Sequence, residues 1–170
     1  PLILACVRCH SAGDFLSHTV AAQGNVGQSR GVTLTDAAIG TDIATTTLQV
    51  PEDWDATTDM TTVNVVWSST CNGAGVRDVL FQVRYLSFAD GADLSAALEN
   101  AVASVPCSGT ATASSINRCD AGTFTSAILG ARNRVLVVAV YRDGAAGADN
   151  CAATATLAGL EIVYTANAVM

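Results

Sequence analysis

Short runs of Val, Thr and aromatic residues recur about every ten residues along most of the chain, with turn-forming residues between them. The clearest run, residues 79–88, alternates so that one face carries Val79, Phe81, Val83 and Tyr85. A period of two is typical of a strand with one buried face, and this turn spacing is typical of antiparallel sandwiches and jelly rolls. The pattern therefore predicts an all-β domain, an antiparallel β-sandwich or jelly roll of about eight strands.

The remaining predicted strands follow from the same alternation or from β-branched content: residues 31–35, 44–50, 61–67, 110–116, 123–129, 134–141 and 154–164. The continuously apolar run 135–140 is expected at the centre of a sheet with both faces covered. Predicted core residues are Trp67, Phe81, Val83, Val137 and Ile162. One window, residues 93–103, has apolar residues at helical spacing and is compatible with a helix.

The composition indicates a domain whose surface is partly covered by other subunits. Of 170 residues, 50% are hydrophobic and 14% are charged, with a net charge of −7 and no lysine. Such an apolar surface is typical of a chain that contacts copies of itself. The absence of a basic cluster argues against nucleic-acid binding, and no apolar run reaches the roughly 18 residues of a membrane span.

Six cysteines point to an oxidising compartment. Cys71 and Cys151 each lie in a turn next to a predicted strand, and Cys107 and Cys119 flank a short step. The most economical pairing is Cys71 with Cys151 and Cys107 with Cys119, although the sequence leaves other connectivities open. A bridge across a loop as short as the second adds about 3 kcal/mol by restricting the unfolded chain.

The N-terminal residues 1–28 are predicted to be an extended arm, distinct from a β-sandwich domain of residues 29–170. The first seven residues are the most apolar stretch of the chain, and residues 8–28 are polar and contain glycine. An apolar terminus left in water invites aggregation, so we expect a neighbouring copy to cover it. The predicted contact residues are Leu2, Ile3, Leu4, Ala5 and Val7.

Strand addition is the mechanism that such an arm predicts. Its backbone would complete a sheet of the next subunit, and its side chains would fill gaps in that core. Because donor and acceptor surfaces differ, the contact propagates as an open helical polymer. Burying four or five aliphatic side chains gives a gross gain on the order of 10 kcal/mol, which the ordering of the linker reduces.

A resemblance to known domains is carried by five segments in order: residues 51–55, 63–67, 81–85, 140–143 and 157–164. They include a strand ending at Trp67 and the run Val140-Tyr141-Arg142-Asp143. This order resembles β-sandwich domains of phage fibre proteins and of uncharacterised exported filament-type proteins of environmental bacteria, over roughly residues 45–165. The resemblance implies the fold. With the arm and the composition, we expect the structural protomer of a pilus-like or phage-derived filament, at a cell or virion surface.

An alternative function rests on the run Cys6-Val7-Arg8-Cys9-His10, which matches the c-type haem attachment motif. Two thiols would bond the haem vinyl groups and His10 would be the proximal ligand, with His18 or Met60 as a sixth ligand. The chain would then be an electron-transfer protein, itself filamentous or not. A disulfide between Cys6 and Cys9 explains the same spacing, and the favoured expectation is no cofactor.

Little in the sequence indicates catalysis, so we predict that the protein is not an enzyme. There is no Gly-x-Ser-x-Gly elbow, and no histidine lies within the predicted sandwich.

Two kinds of binding site are also conceivable from single residue types. Trp54 could stack on a host glycan in a virion fibre, but we favour a core role. Carboxylates in residues 52–59 and 143–150 could bind Ca²⁺, yet their spacing is not that of an EF-hand. We expect solvated turn residues and no resident metal.

Overall fold

The computed structural model of this chain is an antiparallel β-sandwich. It describes residues 2–4, 16–17, 23–26, 29–39, 41–69, 71, 77–92, 100–101, 105–109 and 115–167. The strands are β1 (Leu2–Leu4), β2 (Leu16–Ser17), β3 (Gln23–Val26), β4 (Ser29–Leu34), β5 (Ile43–Gln49), β6 (Thr62–Ser69), β7 (Arg77–Phe88), β8 (Asn100–Ala101), β9 (Val105–Gly109), β10 (Asn117–Asp120), β11 (Val135–Arg142) and β12 (Ala155–Tyr164). Among the described residues there is one short helix, α1 (Ser126–Leu129), which precedes β11.

Eight of these strands, β4 to β7 and β9 to β12, have the topology of a jelly roll. One sheet has the order β10-β6-β12-β4, with β3 beyond β4, and β1 also pairs with β12. The other has the order β5-β11-β7, with β8 and β9 both pairing with β7 and β2 beyond β5. From β4 onward the chain crosses between the sheets at almost every connection, which is the jelly-roll arrangement. The predicted all-β sandwich is confirmed.

The core lies between the sheets, where the period of two along β7 directs alternate side chains inward. Every residue of the predicted inward face is buried: Val79, Phe81, Val83 and Tyr85. Trp67 from the opposite sheet meets Phe81 edge-on, with ring centroids 5.6 Å apart. Gly109 lies so close to this indole that a Cβ there would come within 2.7 Å of the Trp67 Cη2 atom, so the position requires glycine.

The predictions for β11 and β12 are only partly correct. β11 is central, between β5 and β7, but Val135 is 41% exposed and Val137 is half-buried. The reason is that these odd-numbered positions alternate onto the outer face of the sheet. Ile162 is likewise half-buried, packed against the edge of the core.

Two further segments differ from the sequence-based predictions. Residues 126–129, predicted as strand, form α1, because Asp59 Oδ1 accepts the Ser126 N–H at 2.7 Å and holds the turn. Residues 115–116 are not strand, and the edge strand β10 follows them. In the helix-compatible window, residues 100–101 form β8 against β7. The rest of that window and residues 110–114 lie outside the described residues.

Both predicted disulfides are present. Cys71 and Cys151 join the end of β6 to the loop before β12, with Cα atoms 5.7 Å apart. Cys107 and Cys119 join β9 to β10, with Cα atoms 5.3 Å apart, and so connect the two sheets along one side of the sandwich. Two such bridges indicate an oxidising compartment. Among the described residues, no helix is long and apolar enough to cross a membrane.

A buried ion pair fastens the same end of the sandwich as the first disulfide. Arg142 is 1% exposed, and its Nε and Nη2 atoms each lie 2.9 Å from a carboxylate oxygen of Asp149. The guanidinium also donates to the carbonyls of Ala153 and Cys151. Asp149 in turn accepts the Leu80 N–H at 3.0 Å. The expectation that Asp149 is a solvated turn residue is therefore wrong, because its side chain is buried against Arg142.

Candidate functional site

The candidate site is one edge of β12. Strand β6 pairs with residues 155–157 and 159–163 of β12 and so occupies one edge along almost the whole strand. The other edge is shared, since β4 pairs with residues 155–157 and β1 with residues 162–164. Between them lie residues 158–161, with which no described strand pairs on this edge. We call this edge of residues 158–164 the β12 slot.

Alternate residues of β12 direct their backbone groups into the slot. The backbone of Val63 in β6 exchanges hydrogen bonds with Ala121 and Gly122, on the edge of β6 that faces away from β12. Because backbone groups alternate in direction along a strand, those of Thr62 and Asn64 face β12. Their partners, Val163 and Glu161, therefore bond to β6. The N–H and C=O groups that face the slot instead belong to Leu160, Ile162 and Tyr164. These are the groups with which a strand lying in the slot would pair.

Strand β1 supplies that partner for two of the three residues. Its register places Leu2 opposite Tyr164 and Leu4 opposite Ile162, with the chains antiparallel. Pairing of this kind recognises an extended backbone through main-chain hydrogen bonds, which is the basis of strand addition. The geometry of the slot therefore suits a short extended segment rather than a small molecule.

Tyr164 forms the inner wall at the end of the slot. Its side chain is 4% exposed, and its hydroxyl donates to Asp53 Oδ1 at 2.8 Å. Burial, followed by this hydrogen bond and the Asp53 charge, raises the pKa of Tyr164 to about 12. The phenol is therefore a neutral donor at physiological pH, and it ties β12 to the turn of residues 51–55.

The same turn holds the chain that follows β12. The Asp55 N–H donates to the Thr165 carbonyl at 2.8 Å, and the Asn167 N–H donates to the Asp53 carbonyl at 2.7 Å. Trp54 lies between them and is completely buried. Because the indole has no exposed face, it cannot stack on a glycan from this position, and its interpretation as a core residue is confirmed.

The acidic side chains of this turn serve local structure. Asp55 accepts hydrogen bonds from the N–H and hydroxyl of Thr57, at 3.0 and 2.7 Å. These bonds hold the pKa of Asp55 below its ordinary value. Within the described part of the chain, no group of three or more His, Cys, Asp or Glu side chains could hold a metal ion.

The structure brings together some of the predicted site residues. Leu2, Ile3 and Leu4 form β1 on the edge of β12 of the same chain. Met60, named as a haem ligand, is buried and pairs with Phe124 in an isolated bridge. Outside the described residues lie Ala5, Val7 and the haem candidates Cys6, Cys9, His10 and His18. Packing of the arm on a neighbouring chain and haem attachment stay predictions.

Sequence reasoning did not find the β12 slot. The alternation of residues 157–164 indicates a strand, but it carries no information on which edge lacks a long partner, because that depends on pairing with distant segments. No protein-family model matches this chain, and a search of the curated proteins finds no match. The slot is therefore interpreted from its geometry.

Proposed function

We propose that this protein is the structural subunit of an extracellular filament, pilus-like or phage-derived, whose subunits are joined by their N-terminal strands. One observation carries the proposal: the C-terminal half of the β12 edge is paired, among the described strands, by β1 alone. β1 is a separate three-residue segment at the start of the chain. A segment of this kind can be exchanged for the same segment of another copy without altering the eight-stranded sandwich.

The chain connection is long enough for exchange between neighbours. Residues 5–15 link β1 to β2, and fully extended they span about 40 Å. A folded domain of this size has a radius of gyration of about 15 Å, and therefore a diameter of about 40 Å. Strand β1 can thus leave its own slot and reach the slot of an adjacent subunit while β2 keeps its place.

The energetics of exchange determine how such a filament grows. Moving β1 from its own slot to an identical one breaks and forms the same contacts, so these contributions cancel. A tethered segment competes for its own slot at an effective concentration in the millimolar range. Growth of the filament therefore needs further contacts between subunits. A chain with only 14% charged residues and no lysine is suited to form them. We expect assembly to be slow and strongly dependent on protein concentration.

The compartment of the proposed filament follows from the disulfides. Two disulfide bridges favour an oxidising environment, and a cell-surface or virion-surface filament matches it.

The decisive test mixes two variants that each carry one added cysteine outside the two disulfides. One carries Ile3→Cys and the other Val163→Cys, which face each other in the β1–β12 register, and both carry Cys6→Ser and Cys9→Ser. A disulfide between the two different chains forms only if β1 of one enters the slot of the other. The matched control is Thr156→Cys, also on β12 but paired with β4, and no cross-link is expected there.

A truncation tests the consequence for assembly. Deleting residues 1–9, or changing Leu2 and Leu4 to Asp, should give monomers that keep the sandwich and both disulfides. Light scattering and electron microscopy report assembly, and circular dichroism reports the fold. If the truncated chain still forms the same fibres, strand exchange does not join the subunits.

A further inference from the structure

A cavity of about 450 Å³ opens at the end of the sandwich that carries the Cys71–Cys151 bridge. Its volume lies in the range of sites that bind small molecules. The disulfide and two alanine residues make part of its wall apolar, and one of the described lining residues is charged. These lining residues are Cys71, Arg77, Asn150, Ala152 and Ala153.

Arg77 brings a positive charge to this cavity. It is half-buried at the start of β7, and none of the ion pairs formed within the described part of the chain includes it. The neighbouring Asp78 belongs to the opposite face of the strand, because successive side chains alternate. The Asp78 carboxylate accepts hydrogen bonds from Ser108 Oγ at 2.7 Å and from Asn150 Nδ2 at 3.4 Å. The Arg77 guanidinium is therefore free to pair with an anion.

The loop before β12 adds a backbone donor to the same cavity. The buried guanidinium of Arg142 accepts no electrons but donates to the carbonyls of Cys151 and Ala153, which therefore point towards it. In a trans peptide the N–H points opposite to the C=O of the same unit. The N–H of Ala152 consequently points away from Arg142, and it donates to no other group in the described ranges of the chain. Ala152 thus offers a free N–H at the cavity wall.

The arginine and the backbone donor are held in fixed relative positions. The Asn150 N–H donates to the Asp78 carbonyl at 3.0 Å, and Asn150 Oδ1 accepts the Asp78 N–H at 2.9 Å. These two bonds fasten the loop to the start of β7, and the Cys71–Cys151 bridge fastens it to the end of β6. Donors that are already in place lose less entropy when a ligand binds.

We infer that this cavity binds the carboxylate group of a small ligand, up to about the size of a monosaccharide. The planar guanidinium of Arg77 pairs with the carboxylate, and the Ala152 N–H donates a further hydrogen bond. The other arginine at this end, Arg142, is already paired with Asp149 and Asp36. A single free guanidinium matches the one charge of a carboxylate better than the charge of nearly two on a phosphate. This inference does not depend on the filament proposal.

Nuclear magnetic resonance of the native chain tests the inference with two sugars. Glucuronate carries a carboxylate, and glucose, which has the same ring without it, is the matched control ligand. We expect glucuronate to shift the Ala152 amide signal in a saturable way and to bind at least about tenfold more tightly than glucose. This comparison needs no variant, so it stands even where a substitution disturbs folding.

Substitutions of Arg77 test which group binds the carboxylate. Arg77→Gln removes the charge and should weaken glucuronate binding by at least about tenfold. Arg77→Lys keeps the charge but loses the planar fork, so its affinity should lie between the two. Arg118→Gln is the matched control, because it removes one positive charge from β10, where Arg118 pairs with Glu161. It should change the affinity by less than about twofold.

Three results would overturn the inference. The first is the absence of a saturable shift of the Ala152 amide with glucuronate, or an equal shift with glucose. The second is a folded Arg77→Gln variant that binds glucuronate as tightly as the native chain does. The third is tighter binding of glucose 6-phosphate than of glucuronate, which would assign the cavity to phosphate groups instead of carboxylates.

Discussion

The two halves of β12 differ in how they are held. Its first half is paired on both edges by the long strands β6 and β4. It also follows the loop that is fastened by the Cys71–Cys151 bridge and by the Arg142–Asp149 ion pair. Its second half has β6 on one edge, but on the other it has a three-residue strand from the start of the chain.

Under the filament proposal, β12 combines a firmly held first half with a second half whose short partner strand is exchanged. Local opening free energies in a protein range from near zero up to the global value, and short terminal strands lie at the low end. We therefore expect β1 to separate from β12 without unfolding of the sandwich. The fastened half keeps β12 in place while its other edge is empty, and a preorganised acceptor loses less entropy when a strand binds.

The largest effect is expected from removing the bridge at the fastened end. Cys71 and Cys151 close a loop of 80 residues, and replacing both with Ser should lower the free energy of unfolding by about 4–5 kcal/mol in the chain-entropy account. Cys107 and Cys119 are separated by 12 residues, so their removal should cost about 3 kcal/mol. Denaturant unfolding of both double variants checks the order. If removing the Cys107–Cys119 bridge lowers the free energy of unfolding more than removing Cys71–Cys151, native contacts and not loop closure determine the effect.

A slightly smaller effect is expected from the ion pair. Asp149→Ala leaves the buried Arg142 guanidinium with only the partly exposed carboxylate of Asp36, 3.5 Å from its Nη2 atom, and should cost about 3 kcal/mol. The double variant Arg142→Met, Asp149→Leu removes both charges and should be clearly more stable than the single one. In each variant that still folds, cross-linking of Ile3→Cys to Val163→Cys chains should persist, since the slot lies in the other half of β12. Loss of this cross-linking would show that the two halves are coupled.

The fastened end was partly predictable from sequence. Both disulfides followed from cysteines placed in turns beside predicted strands, and the buried face of β7 followed from its period of two. The Arg142–Asp149 pair did not, because a seven-residue separation between the last residue of a strand and the loop after it has no periodic signal, and burial of the carboxylate depends on tertiary packing. The strand β10 was also missed, since Asn117, Arg118 and Asp120 have low strand propensity and only its pairing with β6 makes it a strand.

The exchangeable half was less predictable. The apolar residues at the N-terminus indicated a segment that needs a partner, but the partner edge on β12 lies some 160 positions away in sequence. Helix α1 shows the same limit, because Asp59 and Tyr85 fix the turn at Thr125 and Ser126 through side chains from other elements. Contacts of this kind override local preference and leave no local pattern.

The smallest effect on stability is expected at the end of the second half of β12, where Tyr164 is hydrogen-bonded to Asp53. Tyr164→Phe removes this bond and should cost about 1 kcal/mol at neutral pH. The pKa of Tyr164 is raised from 10.0 to about 12. The unfolded chain therefore ionises first, and stability that is fully present below pH 10 is lost as the pH rises towards 12.

Denaturant unfolding at several pH values between 7 and 12 should show a smaller alkaline loss of stability for Tyr164→Phe than for the native chain. Asp53→Asn, which keeps the phenol and its burial but removes the neighbouring charge, should lie between the two. Parallel curves for all three proteins would mean that Tyr164 does not couple β12 to the turn of residues 51–55, and that the end wall of the slot is held by the backbone bonds of Asp53 and Asp55 alone.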